Sequence, residues 1–233
     1  MTSLNGQTVL VTGANRGMGR HYVTQLLERG VSTVYAAARD TSQITVTDPR
    51  IVPLVLEVTD AASVAEAGRV ASDVTVLINN AGIVRGASVL TRDAAQLREE
   101  LETNLFGPLA LASTFADRIA ERSGAIVNVA SVLAWLPVGA SYGVTKAALW
   151  SATDSMRLEL GPRGVQVVGV YVGLVDTDMG QTFPDSPKSD PAEIVRRVLD
   201  GIESGDDEVL ADDMTVAVRA ALNQPVAERL ANV

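Results

Sequence analysis

Cysteine is absent from the 233 residues, which removes disulfides, thiolate metal sites and a thiol nucleophile together. Histidine occurs once, as His21 beyond a glycine-rich turn. It reads as a packing or surface residue, and neither a histidine triad nor a metal site is expected. Lysine is nearly absent: Lys146 and Lys188 stand alone among 19 basic residues, the rest being arginine. Positive charge is in deficit overall, with 28 acidic residues and a net charge of −9, which argues against nucleic acid and anionic membranes as partners. Long apolar runs are missing too, because polar residues interrupt each one short of a signal peptide or membrane span. The expected setting is soluble and cytoplasmic.

Apolar residues nevertheless make up 47% of the chain, enough for a substantial core, and the length suits one α/β domain over 1–233. Val/Ile/Leu-rich runs at Thr8–Thr12, Thr33–Ala38, Ile51–Val58, Thr75–Asn79, Ala125–Ala130, Val165–Val172 and Glu208–Leu210 read as strands. Helical periodicity fills 17–29, 60–71, 91–120, 142–160, 190–203 and 212–222. Nearly continuous apolar strands separated by helices predict a doubly wound, mostly parallel sheet of Rossmann type, buried on both faces. The interval 40–50 is too short and turn-rich for a full crossover helix, so that connection is expected to be abbreviated. Phe183–Pro191 reads as the end of a mobile loop, about 174–190, beside the substrate.

The first strand runs into TGANRGMGR. Gly13 would permit the tight turn, Gly17 a close approach of backbone to pyrophosphate, and Gly19 close packing of the next helix on the sheet. Asn15, Arg16 and Met18 fill the turn between them, and the helix N-terminus offers free N–H groups to phosphate. The second strand ends at Ala38, where an acid would accept from a free ribose hydroxyl, and Arg39 follows. Arg39 and Arg16 can grip a 2′-phosphate, which predicts NADP(H) over NAD(H). The alternative for Arg39, next to Asp40, is a solvated loop charge.

TGANRGMG, NNAG at Asn79–Gly82, Ser131 and YGVTK at Tyr142–Lys146, in that order, resemble the short-chain dehydrogenase/reductase family over nearly the whole chain. The resemblance implies a seven-stranded sheet, a homodimer or homotetramer, and a catalytic set of Asn104, Ser131, Tyr142 and Lys146. The chemistry also follows from the residues. Tyr142 and Lys146 lie four apart on one helix face. A free tyrosine, with a pKa of about 10, is a poor base that a nearby ammonium improves. Ser131, ending a strand, can donate to the substrate oxygen as charge develops. In the family, an asparagine at the Asn104 position supports a proton relay through the lysine.

The resemblance also assigns Glu57 and Val58 to the adenine end, and Asn80, Ala81 and Gly82 to the ribose. Gly173, Val175 and Thr177 fall to the carboxamide, although Val172 stands where the family has proline. Asp60 reads as a helix N-cap. Ser131 precedes Tyr142 by 11 residues, fewer than the family commonly uses. The short apolar loop supplies Leu133, Trp135, Leu136 and Val138, which with Met179 and Phe183 form a candidate substrate pocket. Packing against a neighbouring subunit is the competing assignment for Trp135. The expected substrate is a small, apolar ketone, aldehyde or alcohol. The rival readings are a reductase of carrier-linked 3-oxoacyl groups and a catalytically silent NADP(H) sensor.

Overall fold

The structure is a computed structural model that describes residues 2–92, 94–182 and 186–230. Seven strands form one sheet: β1 (Thr8–Thr12), β2 (Thr33–Ala38), β3 (Ile51–Val55), β4 (Val76–Asn79), β5 (Ala125–Val129), β6 (Gln166–Tyr171) and β7 (Glu208–Leu210). Their order is β3-β2-β1-β4-β5-β6-β7, and every neighbouring pair is parallel. The winding reverses between β1 and β4, so a crevice opens beyond the carboxyl ends of those strands.

Both faces of the inner strands are covered, which is why those strands read as continuous apolar runs, while along the edge strand β3 Val52, Pro53 and Val55 are exposed. Alternation along β1 sends Val9 and Val11 to one core and Leu10 to the other. The first core packs against Val23 and Leu26 of α1 (Gly17–Glu28) and against Val195 and Leu199 of α6 (Pro191–Ser204). The second packs against Val64 of α2 (Ala61–Val70), Phe115 of α4 (Gly107–Glu121) and Met156 of α5 (Ala140–Leu160). A third cluster, beyond the ends of β5 and β6, gathers Trp135, Leu136, Leu149 and Tyr171 with Val218 of α7 (Asp213–Ala220).

The β2–β3 connection is indeed abbreviated, to a single 3₁₀ turn at Thr41–Gln43 capped by the Asp40 carboxylate. Strand β3 stops at Val55 rather than at 58, and Asp60 then caps α2 through the N–H of Ala62. The stretch read as one helix over 91–120 is interrupted. α3 (Ala95–Leu101) passes through a π segment, Glu102–Phe106, into α4. Pro108 explains the break, having no N–H to give the Asn104 carbonyl one turn back. A short C-terminal helix, α8 (Val226–Leu230), was not expected from the sequence.

Candidate active site

The turn after β1 is built for close approach. Gly13 and Gly17 have φ of +65° and +49°, a region that L side chains rarely adopt. A Cβ on Gly19 would lie 1.9 Å from the Gly13 carbonyl oxygen, so no side chain fits there. α1 begins without a side-chain cap and with no acid in its first turn, leaving N–H groups and the positive dipole end facing the crevice. Met18 packs back onto the first core, while Asn15 donates to Gln43 at 2.8 Å.

The Asn80–Gly82 segment is pinned beside this turn. The Thr12 hydroxyl accepts from the N–H groups of Asn80 and Ala81, both at 3.0 Å, and the Asn80 amide donates to the Thr12 carbonyl at 2.9 Å. The sequence reading missed Thr12. The signal was a hydroxyl on the last residue of the strand before the glycine turn. At the far rim, Thr177 leans on Gly17, and a bridge between Val175 and Ser189 closes the base of the 174–190 loop. The Gly173 N–H donates to Asp212, the N-cap of α7, at 2.6 Å.

At the end of β2, Ala38 is buried and Arg39 is 74% exposed on its side chain. Asp40 spends its carboxylate on Ser42 and Gln43, so it does not hold Arg39. The nearest carboxylate to Arg39 is Glu57 at 3.9 Å, and Glu57 also accepts from Thr59. Val58 is buried against Gly107. Arg16 reaches across the groove to Asp178 at 2.9 Å, with both side chains largely exposed.

The proposed chemistry residues converge at the ends of β5 and α5. Tyr142 and Lys146 sit one turn apart on α5, with the ammonium nitrogen 5.5 Å from the centre of the phenol ring. Lys146 is buried and donates to the Val129 carbonyl at 2.7 Å. Burial holds its pKa down to about 8. Burial also pushes the Tyr142 hydroxyl well above its usual range; a hydrogen bond with Ser131 opposes this and the charge of Glu100 adds to it. The Val172 carbonyl, 3.3 Å from the Ser131 hydroxyl, is the alternative acceptor for that hydroxyl's one proton.

Asn104 is fully buried in the π segment. Its Oδ1 accepts from the Ile83 N–H, and its Nδ2 donates to the Ile83 carbonyl and to Thr145. The side-chain amide thus braces Ile83 and ties it to Thr145 of α5. It stands beside Gly82, whose added Cβ would lie 3.3 Å from Asn104 Oδ1 and 3.9 Å from Lys146 Nζ.

The candidate pocket divides. Trp135 and Leu136 are 3% and 2% exposed and turn into the third core, not into a cleft. The Trp135 ring stacks on Tyr171 at 4.3 Å and meets Trp150 edge-on at 5.9 Å within the same chain. The short loop forces this: a 3₁₀ turn at Val132–Ala134, N-capped by Ser131, swings the next two side chains inward. Leu133 is half-buried, Val138 and Met179 are exposed, and Phe183 lies outside the described residues. A cavity of about 360 Å³ opens instead beside Gly173 and Leu174, with Lys188, Arg197 and Met214 among its walls.

This arrangement defines a dinucleotide-binding α/β protein with a tyrosine, a lysine and a serine gathered at the mouth of its crevice. The chain belongs to the short-chain dehydrogenase family, whose description matches residues 7–188. A short-chain dehydrogenase from Burkholderia cenocepacia J2315, solved with NADP, is 38% identical over 99% of this chain and 98% of its own, with a TM-score of 0.92. The 3-oxoacyl-[acyl-carrier-protein] reductase of Escherichia coli K12 is 30% identical, covering 80% of this chain and 81% of its own. The short chain dehydrogenase tazN of Aspergillus terreus is 35% identical over 77% of this chain, which spans only 43% of that protein's length.

Proposed function

We propose that this chain interconverts an uncharged ketone or aldehyde and its alcohol with NADP(H), Tyr142 exchanging the proton with the substrate oxygen. The convergence of Tyr142, Lys146 and Ser131 beside Gly82 carries this reading. The glycine cradle fits a dinucleotide: Gly13 and Gly17 take positive φ in the turn, Gly19 lets α1 pack close to it, and the uncapped N-terminus of α1 leaves N–H groups for phosphate. Gly13, Asn15, Arg16, Gly17, Met18 and Gly19 would hold its phosphates, and Arg39 the 2′-phosphate. Glu57 and Val58 would meet the adenine, Asn80 to Gly82 and Lys146 the ribose, and Gly173, Val175 and Thr177 the carboxamide. Bound nicotinamide supplies or takes the hydride. In reduction Tyr142 gives its proton to the carbonyl oxygen, while the Ser131 hydroxyl donates a second hydrogen bond. Below about pH 8 Lys146 is a cation that stabilises the phenolate left behind. Asn104 supports this set by bracing Ile83 and Thr145.

Two observations favour an uncharged substrate over an acidic carrier. The chain is strongly acidic, and Arg85, just past NNAG, has its guanidinium held by Glu99 at 2.5 and 2.9 Å. A solved relative from Comamonas testosteroni, 28% identical with a TM-score of 0.75, is described as specific for bulky-bulky ketones. Exposed Phe106 and Leu158 offer apolar surface for a two-fold assembly. The test is a panel of ketones, alcohols and carrier-linked thioesters with both cofactors, together with Tyr142→Phe. Neutral ketones should give the higher kcat/KM, and the variant should lose nearly all turnover yet bind NADPH within about twofold of the parent, only one hydroxyl being removed. Robust turnover by Tyr142→Phe refutes the proton role. Preference for the thioesters refutes the substrate class, and no turnover of anything leaves the sensor reading.

A further inference from the structure

Beyond β4 the chain passes the site as the segment Ile83–Ser88, and α3 with the π segment after it grips it. Asn104 holds Ile83, and the side chain of Glu99 holds the Arg85 guanidinium. Between them, Glu100 Oε1 accepts from the N–H groups of Arg85 at 2.5 Å and Gly86 at 3.2 Å. From the other side the Ser141 N–H, one residue before Tyr142, donates to the Ala87 carbonyl at 3.0 Å. Gly86 takes a φ of +67° to present its N–H this way.

Glu100 is fully buried, and its Oε2 has no hydrogen-bond partner among the described residues. A carboxyl side chain is a costly choice for holding two backbone N–H groups in the interior, since an amide could accept the same bonds. The choice of a glutamate here therefore needs an account. Two groups interact with it electrostatically: the Arg85 guanidinium, on the clamped segment and paired with Glu99, and the Tyr142 hydroxyl of α5. One turn on from Tyr142, the Lys146 amine donates to the Val129 carbonyl. The Glu100 charge acts on Tyr142 in the direction that keeps the phenol neutral, adding to burial and opposing Ser131.

We propose that Glu100 is a positioning residue for the proton transfer, clamping the Arg85–Gly86 turn against the site and setting the electrostatic field at the Tyr142 hydroxyl. The field half rests on the reading of Tyr142 as proton donor; the clamp half does not. Glu100 thereby favours the phenol that donates in reduction over the phenolate that accepts in alcohol oxidation.

The test separates charge from clamp. Glu100→Gln keeps an acceptor oxygen and removes the charge; Glu100→Asp keeps the charge and withdraws it by one methylene. In Glu100→Gln the tyrosine-linked limb of kcat/KM for NADP⁺-dependent alcohol oxidation should move to lower pH by roughly one unit. In Glu100→Asp that limb should stay, while the KM for ketone rises several-fold and the Arg85 and Gly86 amides exchange hydrogen faster in the cofactor-free protein. An unmoved limb in Glu100→Gln, or an equal shift in both variants, overturns the field. Unchanged exchange at both amides in Glu100→Asp overturns the clamp, and that readout needs no turnover. Should Glu100→Gln fail to fold, the Glu100→Asp limb decides the field, because a retained charge must leave it in place. Inactivity of the parent chain toward every ketone would sink the functional reading and leave the clamp still tested.

Discussion

Replacing Trp135 by alanine distinguishes a core residue from a pocket wall, and its cost can be worked from the contacts. Truncating a buried tryptophan costs about 3–5 kcal/mol through lost transfer energy and the cavity left behind. The stacked Tyr171 and edge-on Trp150 contacts place Trp135 toward the upper part of that range, each being worth about 0.5–1.5 kcal/mol beyond area. The Arg219 guanidinium, 5.4 Å from the ring centre, adds a smaller cation–π share. One effect opposes these: the buried indole N–H has no hydrogen-bond partner among the described residues, so removing it recovers about 1–3 kcal/mol of desolvation. The balance is a loss of about 3 kcal/mol. At about 2–4 °C per kcal/mol for a chain of this size, the melting temperature should fall by about 6–12 °C. The assays are thermal unfolding at fixed NADPH and KM for a small and a bulky aryl ketone. Both KM values should change by the same factor. A melting temperature within about 2 °C of the parent, with KM raised only for the bulky ketone, would return Trp135 to the pocket and refute the packing argument.

The other two expectations concern charge. Lys146 has a folded pKa of about 8 against 10.5 when free, so between those values the unfolded chain binds the extra proton and stability rises with pH. Below pH 8 the full burial penalty of about 3 kcal/mol is present. Thermal unfolding of the cofactor-free protein from pH 7 to 10 should show a rise that Lys146→Met lacks; parallel curves would contradict the burial of a charged amine. Arg39→Ala should lower kcat/KM for NADPH by about ten- to a hundredfold, the 1.5–3 kcal/mol of a charge-assisted bond, and leave NADH unaffected. Equal losses with both cofactors would mean that Arg39 acts through Glu57 on local structure instead.

The parts of this molecule that were legible in its sequence are those set by local rules. Val/Ile runs bounded by turns specify strands buried on both faces, and the spacing of Tyr142 and Lys146 specifies a shared helix face whatever the tertiary context. The illegible parts depend on what a residue meets across the fold. Trp135 is equally apolar in a cleft or a core, and only the inward swing of the short loop after Ser131 decides between them. The break at Glu102–Phe106 was marked by Pro108, which lies in the middle of the stretch 91–120 where a proline opposes a regular helix, but the apolar periodicity continues on both sides of it and hides the interruption. Glu100 was hidden for a different reason. In Arg98-Glu99-Glu100 a charged run reads as a solvated helix face, and Glu99 does lie on one. Yet Glu100 stands four residues before Asn104, which places the two carbonyl-bearing side chains on one face of a regular helix. An asparagine expected at the site thus carried a signal for its neighbour: a carboxylate one turn earlier faces the same buried loop, and can shape both its path and the field at Tyr142.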